Sequence, residues 1–203
     1  MKLISILLTI LLCLSAIIGD YVVFRSKYSE SHVFRAFSDS SVHAIIGLLS
    51  GMLFLTYDIG LTTQARFYNV VFCTILSSLI DIDHFIAARS FKLKDITNLK
   101  QRGIFHCTTF WLIITILLLV YTHITKRLNI YTLVYMTVIA YSSHHIRDAN
   151  RRGLWLYPFG HTSPLNKYFY IFLISVLPKL FAYLYVYFKP SYKNIVINYD
   201  SII

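Results

Sequence analysis

The feature that most constrains this chain is the spacing of its apolar residues, which come in runs of about 15 to 22 separated by short charged stretches. A bilayer core about 30 Å thick needs about 20 helical residues to cross, so several membrane spans are implied. Windows of about 19 residues put spans near Leu3–Phe24, Val42–Tyr57, Tyr68–Ala88, Ile104–Ile124, Tyr131–Ile146 and Tyr168–Phe188. The expected architecture is an all-α, multi-pass transmembrane helical bundle of about six spans, forming one integral-membrane domain over residues 1–203. The second run is short enough to suggest a re-entrant or strongly tilted segment. The first resembles a signal peptide, but Tyr21-Val22-Val23-Phe24 prolongs it past Asp20 and favours an uncleaved anchor.

Composition agrees. With 57% hydrophobic and 14% charged residues and a mean hydropathy of +0.62, the chain lacks the polar surface of an ordinary cytosolic domain. Its net charge of +10 raises the question of nucleic acid. The Lys and Arg residues sit in the gaps between apolar runs, where anionic headgroups would meet them, so the expected partner is the lipid bilayer and not nucleic acid. Cys13, Cys73 and Cys107 fall in or beside apolar runs without a CxxC and read as small core hydrophobes.

The anomaly is where the rare titratable groups lie. The chain has nine acids and eight histidines, and many fall on apolar runs or at their ends. An ionisable group near a helix centre costs at least about 2.5–3.5 kcal/mol to insert, so it needs a partner or a polar cavity. Four groups stand out: His43, Asp81-Ile82-Asp83-His84, Arg102-Gly103-Ile104-Phe105-His106, and His144-His145-Ile146-Arg147-Asp148. Counting crossings brings all four to one side of the membrane, and the last three coincide whether or not the second run crosses. Asp81 and His84 are at i, i+3, and His144 and Asp148 at i, i+4, so each pair projects from one helix face. Imidazole and carboxylate are the ligand set of Zn, Fe or Mn, and a mononuclear or dinuclear site is feasible. A relay through the membrane would string such groups across its depth, whereas these gather at one face.

The order and spacing of these elements resemble the YdjM-type family of membrane-bound metal-dependent hydrolases. Its members carry a His near an early span, then D-x-D-H, R-G-x-x-H, and a later H-x-x-x-D followed by a Gly and a Pro-aromatic stretch. Here the last of these is His144 to Asp148, with Gly153 and Tyr157-Pro158-Phe159 behind. The resemblance covers residues 42–161, and Gln101 stands where the family often has a His. The six-run layout and the stretch from Asp148 to Gly160 are also similar to the transmembrane protein 267 family.

The resemblance implies a divalent metal, Zn being one that suits these donors, held by His43, Asp81, His84, His106, His144 and Asp148. Asp83 or His145 would orient a ligand or act as general base. The implied activity is hydrolysis of an ester or phosphoester, with a lipid or other amphiphile as substrate, and Arg102, Arg147, Arg151 and Arg152 lie beside the ligands to hold a phosphate or to meet the anionic headgroup layer. A non-catalytic structural protein or a pseudoenzyme is the alternative. Of the 19 Lys and Arg residues, 12 fall on the motif-bearing side and 6 opposite, with Lys179 inside the last span. That bias puts the site on the cytoplasmic side.

Overall fold

The computed structural model describes residues 2–92, 95 and 102–189. Six long helices dominate it: α1 (Lys2–Arg25), α2 (His32–Phe54), α3 (Thr63–Leu79), α5 (Thr108–Thr125), α6 (Leu128–Arg152) and α7 (Lys167–Phe188). Between α3 and α5 come a 3₁₀ turn (Ile80–Ile82), the short helix α4 (Asp83–Ala88) and a second 3₁₀ turn (Ile104–His106). A two-stranded antiparallel hairpin, β1 (Trp155–Leu156) with β2 (Gly160–His161), separates α6 from α7.

Local chemistry sets the helix boundaries. Ser31, Thr62 and Asn166 cap the starts of α2, α3 and α7 by accepting hydrogen bonds from the amides of Phe34, Ala65 and Tyr168, each satisfying a donor that the first turn leaves without a partner. The second run is not a short or re-entrant segment: α2 has 23 residues and begins ten positions before Val42. The added turns read as polar, but the Ser38 and Ser41 hydroxyls donate back to the carbonyls of Phe34 and Phe37 at 2.7 Å, which lets them lie on a helix. His43 therefore sits near the middle of α2. Similarly α5 begins at Thr108 instead of Ile104, leaving His106 on the preceding turn.

Five of the long helices are long and apolar enough to cross a membrane. The sixth, α6, is not apolar enough on average, yet at 25 residues it is about 37 Å long. It is the hub of the bundle: 15 of its residues are buried, against 5 in α1 and 1 in α5, and it packs on α2, α3, α5 and α7. Its neighbours carry the lipid-facing surface, which frees α6 to bear polar groups. The protein is an all-α integral membrane bundle.

Two features position the functional end. First, α2 and α3 approach closely where Gly47 faces Ser77 and Gly51 faces Cys73; a Cβ on Gly47 would meet the Ser77 Cβ at 2.5 Å. Small residues four apart permit this contact in a bilayer, where van der Waals packing drives helix association. Second, Arg147 of α6 is buried between two acids, with Nε 3.0 Å from Asp20 of α1 and Nη1 2.7 Å from Asp39 of α2. That clasp joins three helices at the end where α1 finishes and α2 begins. At the other end Tyr131 of α6 donates to the Tyr185 carbonyl of α7 and Lys189 to the Ile59 carbonyl.

Candidate functional site

All six residues read from the sequence as potential ligands converge. They come from four places: α2 brings His43, the first 3₁₀ turn and α4 bring Asp81 and His84, the second 3₁₀ turn brings His106, and α6 brings His144 and Asp148. His43, His144 and Asp148 form one group with ligand atoms within 4.8 Å of one another, and Asp81, His84 and His106 form a second. The groups touch. His106 Nε2 lies 3.5 Å from Asp148 Oδ2, and His144 Nε2 lies 3.5 Å from Asp81 Oδ1. His43 Nε2 is 3.6 Å from Asp148 and 3.9 Å from Asp81.

The surrounding backbone fixes which nitrogens face inward. His144 Nδ1 is 2.8 Å from the Ser77 carbonyl, and His106 Nδ1 is 3.0 Å from Asp83 Oδ1. Both partners are acceptors, so both Nδ1 atoms carry the hydrogen, and each ring in its neutral form presents a bare Nε2 lone pair. Those two lone pairs are 3.2 Å apart, beside the carboxylates of Asp81 and Asp148. Facing lone pairs next to two anions repel unless a cation or a proton lies among them. His43 is buried with no hydrogen-bond partner at either ring nitrogen among the described residues, its nearest carboxylate oxygen being that of Asp148 at 3.6 Å, and burying unsatisfied polar atoms is costly. The donor set of N and O atoms fits a divalent cation.

His106 lies outside the spanning helices. Burial by itself would depress it, but the hydrogen bonds to Asp81 and Asp83 and the charge of Asp148 raise its pKa to about 10. On the same connecting segment burial lowers Arg102, opposed by the nearby Asp148 charge.

Asp83 and His145 do not join the cluster. Asp83 Oδ2 accepts from the Phe105 amide at 2.8 Å while Oδ1 takes His106, so both oxygens are engaged in holding the His106 turn. Gly103 lets this carboxylate sit against the turn, since a Cβ there would run into Asp83. His145 donates from Nε2 to the Phe105 carbonyl at 2.9 Å, and its Nδ1 accepts from the Thr108 hydroxyl at 3.0 Å. Both ring nitrogens of His145 are thus engaged away from the cluster. Arg147 is likewise withdrawn, locked between Asp20 and Asp39. Gln101 lies outside the described residues.

Above the cluster opens a cavity of about 300 Å³ whose lining includes Asp81, His84 and Asp148 together with Arg35, Arg102, Arg151 and Arg152. The histidines His43, His106 and His144 are buried beneath it, whereas Asp81 and Asp148 remain 20% and 18% exposed. Sequence reasoning did not find Phe24, whose ring lies under Arg151 at 3.7 Å and beside Arg35 at 5.6 Å, nor the Ser77 carbonyl. A backbone acceptor leaves no signal in residue identity.

Comparison with known proteins gives the lineage. The family profile described as YdjM inner membrane protein matches residues 39–199, which include every cluster residue. Proteins named transmembrane protein 267 are similar over most of the chain. That of Bos taurus is 37% identical over 150 residues, covering 73% of this chain and 68% of its own length. That of Danio rerio is 40% identical over 148 residues, covering 72% and 65%, and that of Xenopus laevis 34% over 164, covering 80% and 74%. No solved structure matches. The chain belongs to the YdjM inner membrane protein family and, within that likeness, to the proteins named transmembrane protein 267.

Proposed function

We propose that this protein is a membrane-embedded, metal-dependent hydrolase acting on a lipid or other phosphoester at the bilayer surface. The observation that carries the reading is the pair of inward Nε2 lone pairs of His106 and His144, 3.2 Å apart beside Asp81 and Asp148. His43, His144 and Asp148 would hold one divalent cation, and Asp81, His84 and His106 a second. Bound there, such an ion supplies Lewis-acid activation of water and of a phosphoryl oxygen.

The chain's own groups do the rest. Asp83 fixes the His106 tautomer, as a carboxylate behind a ligating imidazole does, and the Ser77 carbonyl does the same for His144. Asp81 and Asp148, partly exposed to the cavity, can take the proton of an incoming water. Arg102 and Arg152 stand where a phosphate would need positive charge. In the reaction, water oxygen bonds to phosphorus, the bond from phosphorus to the leaving oxygen breaks, and that oxygen gains the proton.

The test is metal content of the detergent-purified protein after metal-replete growth, beside His106→Ala and Asp148→Ala variants that remain folded by circular dichroism, followed by phosphoester turnover. Stoichiometric metal lost in both variants, with cleavage that follows it, is expected. A parent protein without bound metal would remove the hydrolase. Metal without turnover across lipid phosphoesters would leave a pseudoenzyme that keeps the site.

A further inference from the structure

The cavity above the cluster has two unlike walls. One is cationic, carrying Arg102, Arg151 and Arg152. The other is apolar, carrying Phe37, Leu79 and Ile82, all exposed on the lipid side of α2, α3 and the turn after it. The four arginines of the lining, Arg35, Arg102, Arg151 and Arg152, outnumber its three carboxylates, Asp39, Asp81 and Asp148. Asp39 is taken by Arg147 at 2.7 Å, and Asp81 and Asp148 are held among histidines. No carboxylate of the described residues pairs with Arg151 or Arg152, and Arg102 reaches Asp148 only at 3.9 Å. The Arg102 side chain is 8% exposed, its Nη1 donates to the Gly153 carbonyl at 3.1 Å, and its Nη2 is buried with no hydrogen-bond partner. A fixed, buried guanidinium with an unused donor beside two unpaired ones is arranged for a compact anion with several acceptor oxygens.

We infer that the cavity takes a membrane lipid whose headgroup ends in a phosphomonoester, with the phosphate against Arg102 and Arg152 and the acyl chain lying over Phe37, Leu79 and Ile82 within the leaflet. The size of the cavity supports a small headgroup: about 300 Å³ is at the low end of ligand pockets. A phosphate and its glycerol fit that space, with the acyl chain lying outside it. The exposed apolar wall is continuous with the surface that faces the bilayer, so such a lipid reaches the site sideways without leaving the membrane. Phe24 holds Arg151 at the rim by a cation–π contact, which keeps the cationic wall facing the headgroup level. The inference rests on the hydrolase reading only for the fate of the bound phosphate, because binding itself requires the arginines and the apolar wall.

The experiment is a binding titration of the full chain in detergent, stripped of metal with a chelator, against dioctanoyl phosphatidic acid, dioctanoyl phosphatidylcholine and inorganic phosphate. The expected result is saturable binding of the phosphatidic acid at least tenfold tighter than of either other probe, weakened at least fivefold in Arg152→Ala and in Arg102→Gln. Arg152 is exposed, so its variant decides the matter if Arg102→Gln fails to fold. Equal affinity for inorganic phosphate would overturn the lipid assignment in favour of a soluble phosphate site. Equal affinity for the two lipids, or an affinity unchanged in Arg152→Ala, would overturn it in favour of non-specific lipid contact. Because the titration is done without metal, a failed metal assay and a failed binding assay are separate results.

Discussion

His106 Nδ1 lies 3.0 Å from Asp83 Oδ1, and the other oxygen of the same carboxylate receives the Phe105 amide at 2.8 Å. One buried aspartate therefore fixes both the tautomer of His106 and the turn that carries it. In Asp83→Asn the amide oxygen can still accept from His106, but its NH₂ then faces the Phe105 N–H, donor against donor. Metal affinity should fall about 10–100-fold, the usual effect of losing such a supporting group. Competitive titration with a chelating dye measures it. An affinity equal to that of the parent would show that Asp83 does not orient the ligand.

Gly103 tests the same arrangement from the backbone side. A methyl group there meets the Asp83 carboxyl, so Gly103→Ala should cost about 1–3 kcal/mol, as overpacking does, and should weaken metal binding in parallel. Thermal unfolding in detergent, with and without added metal, reads both effects.

Arg147 is predicted to matter for stability rather than for phosphate binding. Its removal in Arg147→Ala leaves Asp20 and Asp39 facing one another without their cation. Breaking a buried pair typically costs about 3–5 kcal/mol, and because the two acids are partly exposed the lower figure is expected. Arg147→Lys, which keeps the charge but cannot reach both acids as a fork, should lie between. A chemical denaturation midpoint identical to the parent's in Arg147→Ala would contradict the clasp.

Removal of metal should destabilise the bundle at the cluster end. Free metal at 100 times its dissociation constant adds about 2.7 kcal/mol to a folded state that alone binds it. The melting temperature should fall with chelator and recover with added divalent cation. His106→Ala should show neither response.

Orientation is testable separately. The excess of Lys and Arg beside the motifs predicts a cytoplasmic site, in which case a glycosylation tag inserted between Ser90 and Gln101 should remain unmodified. Glycan addition there would reverse the assignment.

Much of this site was legible in the chain before its structure. His43, Asp81, His84, His106, His144 and Asp148 stood out because titratable groups on apolar runs are costly, and counting crossings brought them to one face. The helix boundaries were less legible. Hydropathy averages over a window, so the serines of α2, which bond back to their own helix, and the histidines of α6, which face its neighbours, looked like span ends when they lie within helices. The roles of Asp83, His145 and Arg147 were hidden for a different reason. Each depends on a partner distant in sequence or on a backbone atom, as Arg147 does on Asp20 and Asp39, and residue spacing carries no record of such partners.

The central position of α6 has a consequence for how the protein is made. Asp and Arg on a spanning segment oppose transfer from an insertion channel to lipid, by about 2.5–3.5 kcal/mol each at a helix centre and less towards its ends, and the last third of α6 bears Arg147 and Asp148 with two histidines before them. Such a segment is a poor candidate for independent release into lipid. The strongly apolar α5, joined to it through residues 126–127, is placed to carry it in as a hairpin, with α7 closing over it only once synthesis has gone further. Biogenesis of this polytopic chain is thereby tied to assembly, since the helix that brings a third of the cluster is at home in the bilayer only after its neighbours surround it.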